Sequence, residues 1–398
     1  MIGQKGIPTN SGGIERHVES LSQELVKLGH EVIVYARPHY TPKSLKEYKG
    51  VKLISLPSIK TKNLDAATHT FFATLHALFC LKNVDILHYH AIGPSLFIII
   101  AKILKPKIKI VSTFHCQDYY HQKWSPLARL FLKLGEKISV CFANKTIVVS
   151  KELKHYVEQK YKHFPVYIPN GIYPEAKKTI TAADKESLKW WKLKSEQYII
   201  TVNRLVRHKG IHTLISAYQK LAPEFQKSKK LVIVGSPAFT DDYEKALKQL
   251  ANNNPNIIFT GQQTGRSLKI LFQNAYLFVQ ASESEGLSIS LLEAMNYGIP
   301  VLASNIPANA EIVEGYGFLF ENKNIQDLYN QLFQILSLPK ANLEKKSTLG
   351  QKRVADFYNW SRIGIETSKL YKKLIDALQK TKALDKSRIF FALKIKKI

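Results

Sequence analysis

The sequence predicts an α/β protein composed of two doubly wound domains in tandem, each with a parallel sheet. Short apolar runs alternate with amphipathic helical segments, the pattern that produces right-handed βαβ crossovers. This alternation weakens over residues 168–187 and then starts again, which divides the chain into two units. The length of 398 residues also suffices for two or three domains of about 150 residues.

In the first half, the first predicted helix spans 14–29. Its side chains Val18, Leu21 and Leu25 fall on one apolar stripe, and Gly29 ends it. The other predicted helices are 66–81, 126–142 and 151–161, and the predicted strands are 31–36, 51–56, 85–90, 107–114 and 145–150.

The second half repeats the alternation after a segment rich in proline and glycine that we interpret as a linker. The predicted strands are 197–203, 230–235, 256–261, 276–282 and 300–304, and the predicted helices are 210–221, 241–252, 267–274, 288–298 and 360–378. We expect a first domain at 1–172, a linker at 173–190, a second domain at 191–358, a helix at 359–380 that crosses back to the first domain, and a basic apolar tail at 381–398.

The composition narrows the possible functions. A net charge of +27 favours an anionic partner, such as nucleic acid, a membrane surface or a phosphorylated small molecule. The basic residues are dispersed and form no recognised nucleic-acid module. Cys80, Cys116 and Cys141 form no CxxC pair or tight Cys/His cluster, so we expect reduced thiols in a cytosolic protein and no metal site. The apolar stretch 91–101 is too short to span a membrane.

The segment 281–304 carries two glutamates around the start of a predicted helix. The first amide groups of a helix lack intrahelical partners and attract anions such as diphosphates. Gly286 allows a close backbone approach, and Glu293 lies eight residues after Glu285, about 12 Å along a helix axis. Two such carboxylates could bind hydroxyls at opposite ends of a ligand centred on a diphosphate, although acidic residues also favour helix starts for stability alone.

This segment resembles the signature of the retaining family 4 glycosyltransferases of the GT-B fold, which have an E-x7-E motif before a G-x-P-V strand entry. The matching residues are Glu285, Glu293, Gly298, Pro300 and Val301. The resemblance implies two Rossmann-like domains with a cleft between them. It also implies that Glu285 lies beside the donor sugar and that Glu293 binds the nucleotide ribose. Gly286, Leu287 and Ser288 would then form the helix entry at the donor.

A second segment, 201–218, places cations at a strand-to-helix turn. Arg204 and Lys209 suit a diphosphate, whose charge one helix end cannot balance. The alternative is a solvated basic loop. The family pattern G-R-L-x-x-x-K-G matches here, except that Asn203 replaces the first glycine. The resemblance implies that these cations stabilise the departing nucleoside diphosphate.

The glycine-rich loop near the start, with Gly12 and Gly13, can bring backbone amides to the donor. The segment 3–21 resembles the family opening G-x-x-G-I-P-x-x-x-G-G-x-E, especially in the bacterial cell-surface polysaccharide branch. Members of the family have an apolar strand before this loop, whereas only Met1 and Ile2 precede Gly3. We expect either a first-domain sheet that lacks a strand or a true start upstream of Met1.

The segment 111–124 follows a strand of the buried type and contributes His115. In the family, a histidine at a T-x-H-x-x-D position lies by the donor sugar, so the resemblance implies catalytic positioning by His115. The alternative is a structural histidine at a strand end. Asp118, Tyr119 and Trp124 are candidate acceptor residues, since aromatic faces pack on sugar C–H surfaces.

The combined prediction is a retaining hexosyltransferase that moves a sugar from a nucleotide diphosphate sugar to a glycan or lipid-linked acceptor, in cell-surface polysaccharide or glycolipid synthesis. No D-x-D triplet is present, and we expect no metal and no cofactor. Three alternatives remain: a nucleotide-sugar epimerase or phosphorylase of the same fold, a basic nucleic-acid- or membrane-binding protein without catalysis, and a non-catalytic relic.

The charge also predicts a cytoplasmic enzyme that is peripheral on the inner face of the cell membrane. Lys102, Lys105, Lys107 and Lys109 lie beside an apolar segment, and the tail mixes apolar with basic residues. Each basic residue near anionic lipid contributes about 1 kcal/mol. We expect binding to anionic vesicles that weakens when residues 380–398 are deleted, and we expect no nucleic-acid partner.

Overall fold

The structure is a computed structural model that describes residues 1–9, 12–61, 64–120, 124–175, 181–237 and 240–395. Side chains are described as far as Ala377, apart from Lys185. The tail residues proposed for membrane contact therefore lie outside the described side chains. Within the described part, no helix is both long enough and apolar enough to cross a membrane.

The first half alternates strands and helices. Its strands are β1 Ile33–Ala36, β2 Glu47–Tyr48, β3 Val51–Ser55, β4 Ile86–His90, β5 Lys109–Phe114, β6 Lys145–Val148 and β7 Val166–Tyr167. Its helices are α1 Gly13–Lys27, α2 Leu64–Phe79, α3 Ile92–Ser95, α4 Ile98–Leu104, α5 Pro126–Cys141 and α6 Lys151–Tyr161.

The second half repeats this organisation. Its strands are β8 Tyr198–Val202, β9 Lys230–Val234, β10 Ile257–Gly261, β11 Leu277–Gln280, β12 Val301–Ser304 and β13 Phe318–Phe320. Its helices are α7 Ala182–Lys189, α8 Ile211–Gln219, α9 Pro223–Ser228, α10 Asp241–Ala251, α11 Gly265–Gln273, α12 Ile289–Asn296, α13 Pro307–Val313, α14 Ile325–Ser337, α15 Lys340–Phe357 and α16 Trp360–Ile395. Short 3₁₀ turns cover Asp118–Tyr120 and Arg207–Lys209.

The second-half sheet has six parallel strands in the order β10-β9-β8-β11-β12-β13. In order of sequence this is 3-2-1-4-5-6, the doubly wound arrangement of nucleotide-binding proteins. The strand order reverses between β8 and β11, so the loops after these two strands diverge and leave a crevice. Ligands bind at such a reversal point, beyond the carboxyl ends of the strands.

The first-half strands form a β1-β3-β2 sheet and a parallel β4-β5-β6-β7 sheet. Met1 and Ile2 lie between the two sheets. The Tyr35 amide donates to the Met1 carbonyl at 3.2 Å, and the Ile2 amide donates to the His88 carbonyl at 2.9 Å. The position expected for a first strand is thus occupied by these two residues, which join β1 to β4.

The predicted fold class, α/β with parallel sheets, is confirmed. The predicted strands agree with the observed ones within a few residues. The segment 173–190, which the sequence analysis interprets as a linker, contains the short helix α7. Thr181 caps α7 with a reciprocal Thr181–Asp184 capping box, which stabilises a short helix without a strong apolar stripe. The apolar stretch 91–101 forms α3 and part of α4 rather than one continuous element.

The last helix, α16, packs against α1 of the first half. Trp360, Ile363 and Tyr371 share one apolar cluster with Val18 and Leu21. The Tyr371 hydroxyl lies 2.6 Å from His88 Nδ1, and the His30 imidazole bonds the Ser368 hydroxyl at 2.7 Å. Another apolar cluster contains residues of both halves, including Phe114 and Phe278. The two halves are therefore joined by packing as well as by the connecting chain.

Gly210 separates the 3₁₀ turn at 207–209 from α8 and has a φ of +64°. A Cβ at this position would lie 1.8 Å from the Ala281 carbonyl oxygen. We predict that Gly210→Ala lowers the free energy of unfolding by about 2–4 kcal/mol, because the backbone conformation and the contact both oppose a side chain. Urea unfolding followed by circular dichroism measures this change.

The matched control is Gly29→Ala, which also has a positive φ, +86°, but has no atom within 4 Å of the added Cβ. We expect it to cost only about 1 kcal/mol. Equal losses for the two variants would show that the contact with the Ala281 carbonyl contributes nothing.

Candidate active site

A cavity of about 340 Å³ lies where loops of the two halves meet. Its second-half walls are the loops that follow β8, β9, β10 and β11, all at the carboxyl edge of the sheet. Its first-half walls are the loop before α1 and the segment after β5. The sequence-predicted residues that line it are Gly12, Gly13, His115, Asp118, Arg204, Lys209, Glu285, Gly286, Leu287, Ser288 and Glu293.

Lys209 and Glu285 form an ion pair across the strand-order reversal. Lys209 Nζ lies 2.5 Å from Glu285 Oε1, and both side chains are largely buried. Gln280 at the end of β11 also donates to this carboxylate oxygen, at 2.8 Å, and is completely buried. The Glu285 carboxylate is therefore held by two donors in a defined orientation. The sequence reasoning missed Gln280, although a polar residue in an apolar strand was a visible signal.

The loops that carry Lys209 and Glu285 are also joined by a backbone hydrogen bond. The Glu283 amide donates to the His208 carbonyl at 2.8 Å. Arg204 is exposed and lines the cavity on the same side. Both predicted cations thus line the same cavity from the segment between β8 and α8, where they can face an anion together.

The start of α12 faces the cavity, as the sequence predicted. Ser288 is the N-cap, and its hydroxyl accepts from the Leu291 amide at 3.3 Å. Leu287 joins the two halves through its backbone, because its carbonyl oxygen accepts a hydrogen bond from Asn170 Nδ2 at 3.0 Å. The helix start adds partial positive charge to the wall that carries Lys209.

Gly286 allows a close approach between the two halves. A Cβ at residue 286 would lie 1.6 Å from the His115 carbonyl oxygen. Any side chain there would force the loop after β11 away from the segment after β5. Glycine at this position therefore allows the second-half and first-half walls of the cavity to meet.

Glu293 is bound by Arg16 of α1, which also lines the cavity. Burial raises the pKa of Glu293 above its ordinary value, and the Arg16 guanidinium opposes this rise. This ion pair joins the first and second halves. Arg16 was not among the predicted residues, and no signal in the sequence placed it beside position 293.

His115 lies at the first-half wall within a cluster of buried imidazoles. Its ring centroid is 4.7 Å from that of His17, and its Nε2 is 3.4 Å from His90 Nδ1. Burial, with repulsion from neighbouring histidines, lowers the pKa of both His90 and His115 well below the usual value. Burial also lowers the pKa of His17 to about 4, although the hydrogen bond with Asn170 acts to raise it. At neutral pH these rings are uncharged and act by hydrogen bonding.

The same cluster has donor atoms that could hold a metal ion. His17, His90 and His115 each offer one nitrogen, and these nitrogens lie within 4.8 Å of one another. His17 Nε2 and His90 Nε2 are buried and have no hydrogen-bond partner. Neutral imidazole is a good ligand for zinc. The sequence prediction of no metal remains a prediction.

The predicted acceptor residues do not lie together. Asp118 lines the cavity, and the Cys116 thiol donates to it at 3.2 Å. Tyr119 is only 4% exposed, and its hydroxyl lies 2.9 Å from that of Tyr156, so the ring is part of the core and not free to stack on a sugar. Trp124 is half-buried and is not among the residues that line the cavity. The acceptor roles of Tyr119 and Trp124 remain predictions, and the structure places neither ring on the cavity wall.

Two family models match the chain and together span most of it. The model described as "Glycosyltransferase Family 4" matches residues 11–176, and the model described as "Glycosyl transferases group 1" matches residues 184–352. A relative, the alpha-monoglucosyldiacylglycerol synthase of Streptococcus pneumoniae, is 25% identical over 85% of this chain and 78% of that protein.

Solved structures agree in fold. Sucrose-phosphate synthase from Thermosynechococcus elongatus superposes with a TM-score of 0.77 at 23% identity, over 92% of this chain and 94% of that chain. The Anabaena HepE protein in complex with UDP and glucose has a TM-score of 0.76 at 18% identity, over 92% and 98%. Both halves of the chain thus match, in sequence and in fold, one class of sugar-transferring enzymes. The chain is a glycosyltransferase of the GT-B fold and belongs to the family 4 type.

Proposed function

We propose that this glycosyltransferase moves a hexose from a nucleotide diphosphate sugar to a glycan or lipid-linked acceptor with retention of configuration. The observation that carries the proposal is the convergence of Arg204, Lys209 and the α12 start on one cavity that also contains Glu285. A diphosphate with a sugar on one side and a nucleoside on the other matches this distribution of charge. The UDP and UDP-glucose complexes of the HepE protein support a nucleotide-sugar donor.

The donor diphosphate would lie between the cations and the α12 start. Negative charge grows on the departing diphosphate as the glycosidic bond breaks, so groups already oriented there lower the barrier. Lys209 is held by Glu285 and therefore needs little rearrangement when the donor binds. Glu285 keeps its second oxygen for a sugar hydroxyl, and Glu293 would bind the ribose from the far end.

The acceptor would attack on the face from which the diphosphate leaves, and its proton would pass to that diphosphate. This mechanism requires no protein nucleophile. Glu285 already accepts hydrogen bonds from Lys209 and Gln280, which makes its carboxylate a poor nucleophile. His115 is kept neutral by burial and would position a sugar hydroxyl or the β-phosphate by hydrogen bonding.

The acceptor side of the cavity is formed by the first half, including Asp118 and the glycine loop. The name of the Streptococcus pneumoniae relative refers to a glycolipid, which supports an acceptor linked to lipid. The positive charge of the chain supports a cytoplasmic enzyme that binds an anionic membrane surface peripherally. We place the reaction in cell-surface polysaccharide or glycolipid synthesis.

A panel of nucleotide sugars, monitored by thermal stabilisation, tests the donor assignment, because bound donor stabilises the folded state by mass action. Product analysis with the stabilising donor then separates transfer from epimerisation. An epimerase would convert the donor with no acceptor present. No stabilisation by any nucleotide or nucleotide sugar would contradict the proposed function.

We predict that Lys209→Ala lowers kcat/KM about 100-fold, because the positive charge beside the departing diphosphate is removed. Initial rates with the identified donor measure this loss. The matched control is Lys248→Ala, which removes an exposed lysine that pairs with Glu244 on α10. The control should retain wild-type kinetics, and wild-type kcat/KM in the Lys209 variant would remove this residue from the site.

The pH profile tests the pairing of Arg16 with Glu293. In Arg16→Ala the pKa of Glu293 should rise further, because the guanidinium that lowers it is absent. The carboxylate then becomes protonated at a higher pH, so the acidic limb of the kcat/KM profile should move to higher pH. The same Arg16 change made on top of Glu293→Gln should cause no such shift, and a shift there would assign the effect to another group.

A metal-free reaction is expected, because the cations and the α12 start already supply positive charge at the diphosphate. Exhaustive dialysis against EDTA should therefore leave turnover unchanged, as measured without added divalent ions. Loss of turnover that zinc or magnesium restores would overturn this expectation.

A further inference from the structure

Helix α5 exposes a continuous apolar face that the catalytic site does not use. Leu127, Leu130, Phe131 and Leu134 are 63%, 63%, 53% and 45% exposed. Their spacing of three, four and seven residues places them on one side of the helix. The C-terminal turns of the helix are buried, and Ile138, which continues the same stripe, packs in the first-half core. We call these four residues the α5 apolar face.

Neighbouring helices extend this apolar surface. α4 contacts both α5 and α2. Large apolar side chains are exposed on α4 at Ile103 and on α2 at Phe72 and Phe79. An apolar area of this extent on a folded protein usually marks a surface that contacts a partner or a membrane.

The charges around this surface identify the partner. Residues 64–142 contain nine Lys or Arg and four Asp or Glu. Among the acidic residues, Glu136 is completely buried and Asp65 pairs with Arg37. Lys133 and Lys137 are exposed beside the α5 apolar face. A helix with apolar side chains on one face and lysines at its flank is typical of binding to an anionic lipid interface.

A second copy of the chain is a less suitable partner for this face. Contact between two such faces would bring the lysines of both copies together, and their positive charges would repel. A bilayer surface supplies both an apolar layer and negative charge. Charge complementarity therefore favours the bilayer over self-association.

The α5 surface is also joined to the cavity. The 3₁₀ turn at Asp118–Tyr120 packs on α5, and Asp118 lines the cavity. Tyr120 of this turn is exposed. A Cβ at Gly135 of α5 would lie 2.1 Å from the Ile92 carbonyl oxygen at the start of α3, so α5 packs closely on the helix that follows β4. A membrane under α5 would thus lie next to the acceptor side of the cavity.

We propose that the α5 apolar face, with Lys133 and Lys137, docks the enzyme on an anionic bilayer and brings the acceptor side of the cavity to the lipid surface. This inference rests on the proposed function for the lipid-linked nature of the acceptor. Docking itself is independent of catalysis. The sequence prediction placed membrane contact at Lys102–Lys109 and in the tail, and this proposal adds α5 as the inserting element.

Vesicle binding tests the proposal. Full-length protein is mixed with vesicles of phosphatidylglycerol and phosphatidylcholine, or of phosphatidylcholine alone, and bound protein is measured by flotation. We expect binding to the anionic vesicles only, with a decrease as salt is raised. Leu130→Ser/Phe131→Ser should weaken this binding at least about tenfold, and Lys133→Glu/Lys137→Glu should weaken it similarly.

Matched controls lie in the second half. Trp190→Ser/Leu349→Ser removes two exposed apolar side chains, and Lys345→Glu/Lys352→Glu reverses two exposed lysines of α15. Both controls should bind vesicles like the wild type. Equal loss in a control and in its α5 counterpart would overturn the proposal, as would wild-type binding by both α5 variants. Circular dichroism checks that each variant is folded. If Leu130→Ser/Phe131→Ser does not fold, Lys133→Glu/Lys137→Glu still tests the α5 apolar face.

Two further measurements separate the possible failures. Light scattering that shows a wild-type dimer, converted to a monomer by the α5 apolar variant, together with absent vesicle binding, would assign the face to a second copy and overturn the proposal. Thermal stabilisation by UDP and GDP reports the donor site alone. Vesicle binding without nucleotide stabilisation in the wild type would contradict the proposed function and support the α5 surface.

Discussion

The contact of Gly286 with the His115 carbonyl is the constraint on which the site depends. The loop after β11 carries Glu285, and it reaches the first half only because residue 286 has no side chain. This approach closes the cavity between the carboxyl ends of two different sheets. The Arg16–Glu293 ion pair and the Asn170–Leu287 hydrogen bond cross the same boundary. The site is therefore a property of both halves together.

Sheet topology explains why these residues meet. In the second half the strand order reverses between β8 and β11, so the cations of one loop face the glutamate and helix start of the other. In the first half, Met1 and Ile2 join two sheets into one surface, and the loop that follows them leads to α1 and Arg16. Both halves thus contribute walls to the same cavity.

In our proposals the positive charges of the molecule have two roles, binding of the donor diphosphate at the cavity and binding of the anionic membrane at α5. At the cavity, Lys209 is held by the largely buried Glu285 and is already oriented for a diphosphate. On α5, lysines are exposed and flank apolar side chains, which suits a flat anionic surface. An acceptor embedded in a bilayer would require both features on the same molecule, with the lipid near the first half and the donor near the second.

The amino-acid sequence by itself determined the alternation of strands and helices, the division into two halves and the spacing of Glu285 and Glu293, because periodicity and short motifs are local properties. It also predicted that Arg204, Lys209 and His115 lie after strands, where parallel sheets place their ligands. Only the tertiary structure decided which side chains meet across the halves. Arg16 is 277 residues from Glu293, and Tyr119 is buried with its hydroxyl bonded to Tyr156. The N-terminal part of the α5 apolar stripe faces outward, although its pattern would equally suit a core helix. Contacts between distant segments depend on how the two sheets pack, and no local pattern encodes that.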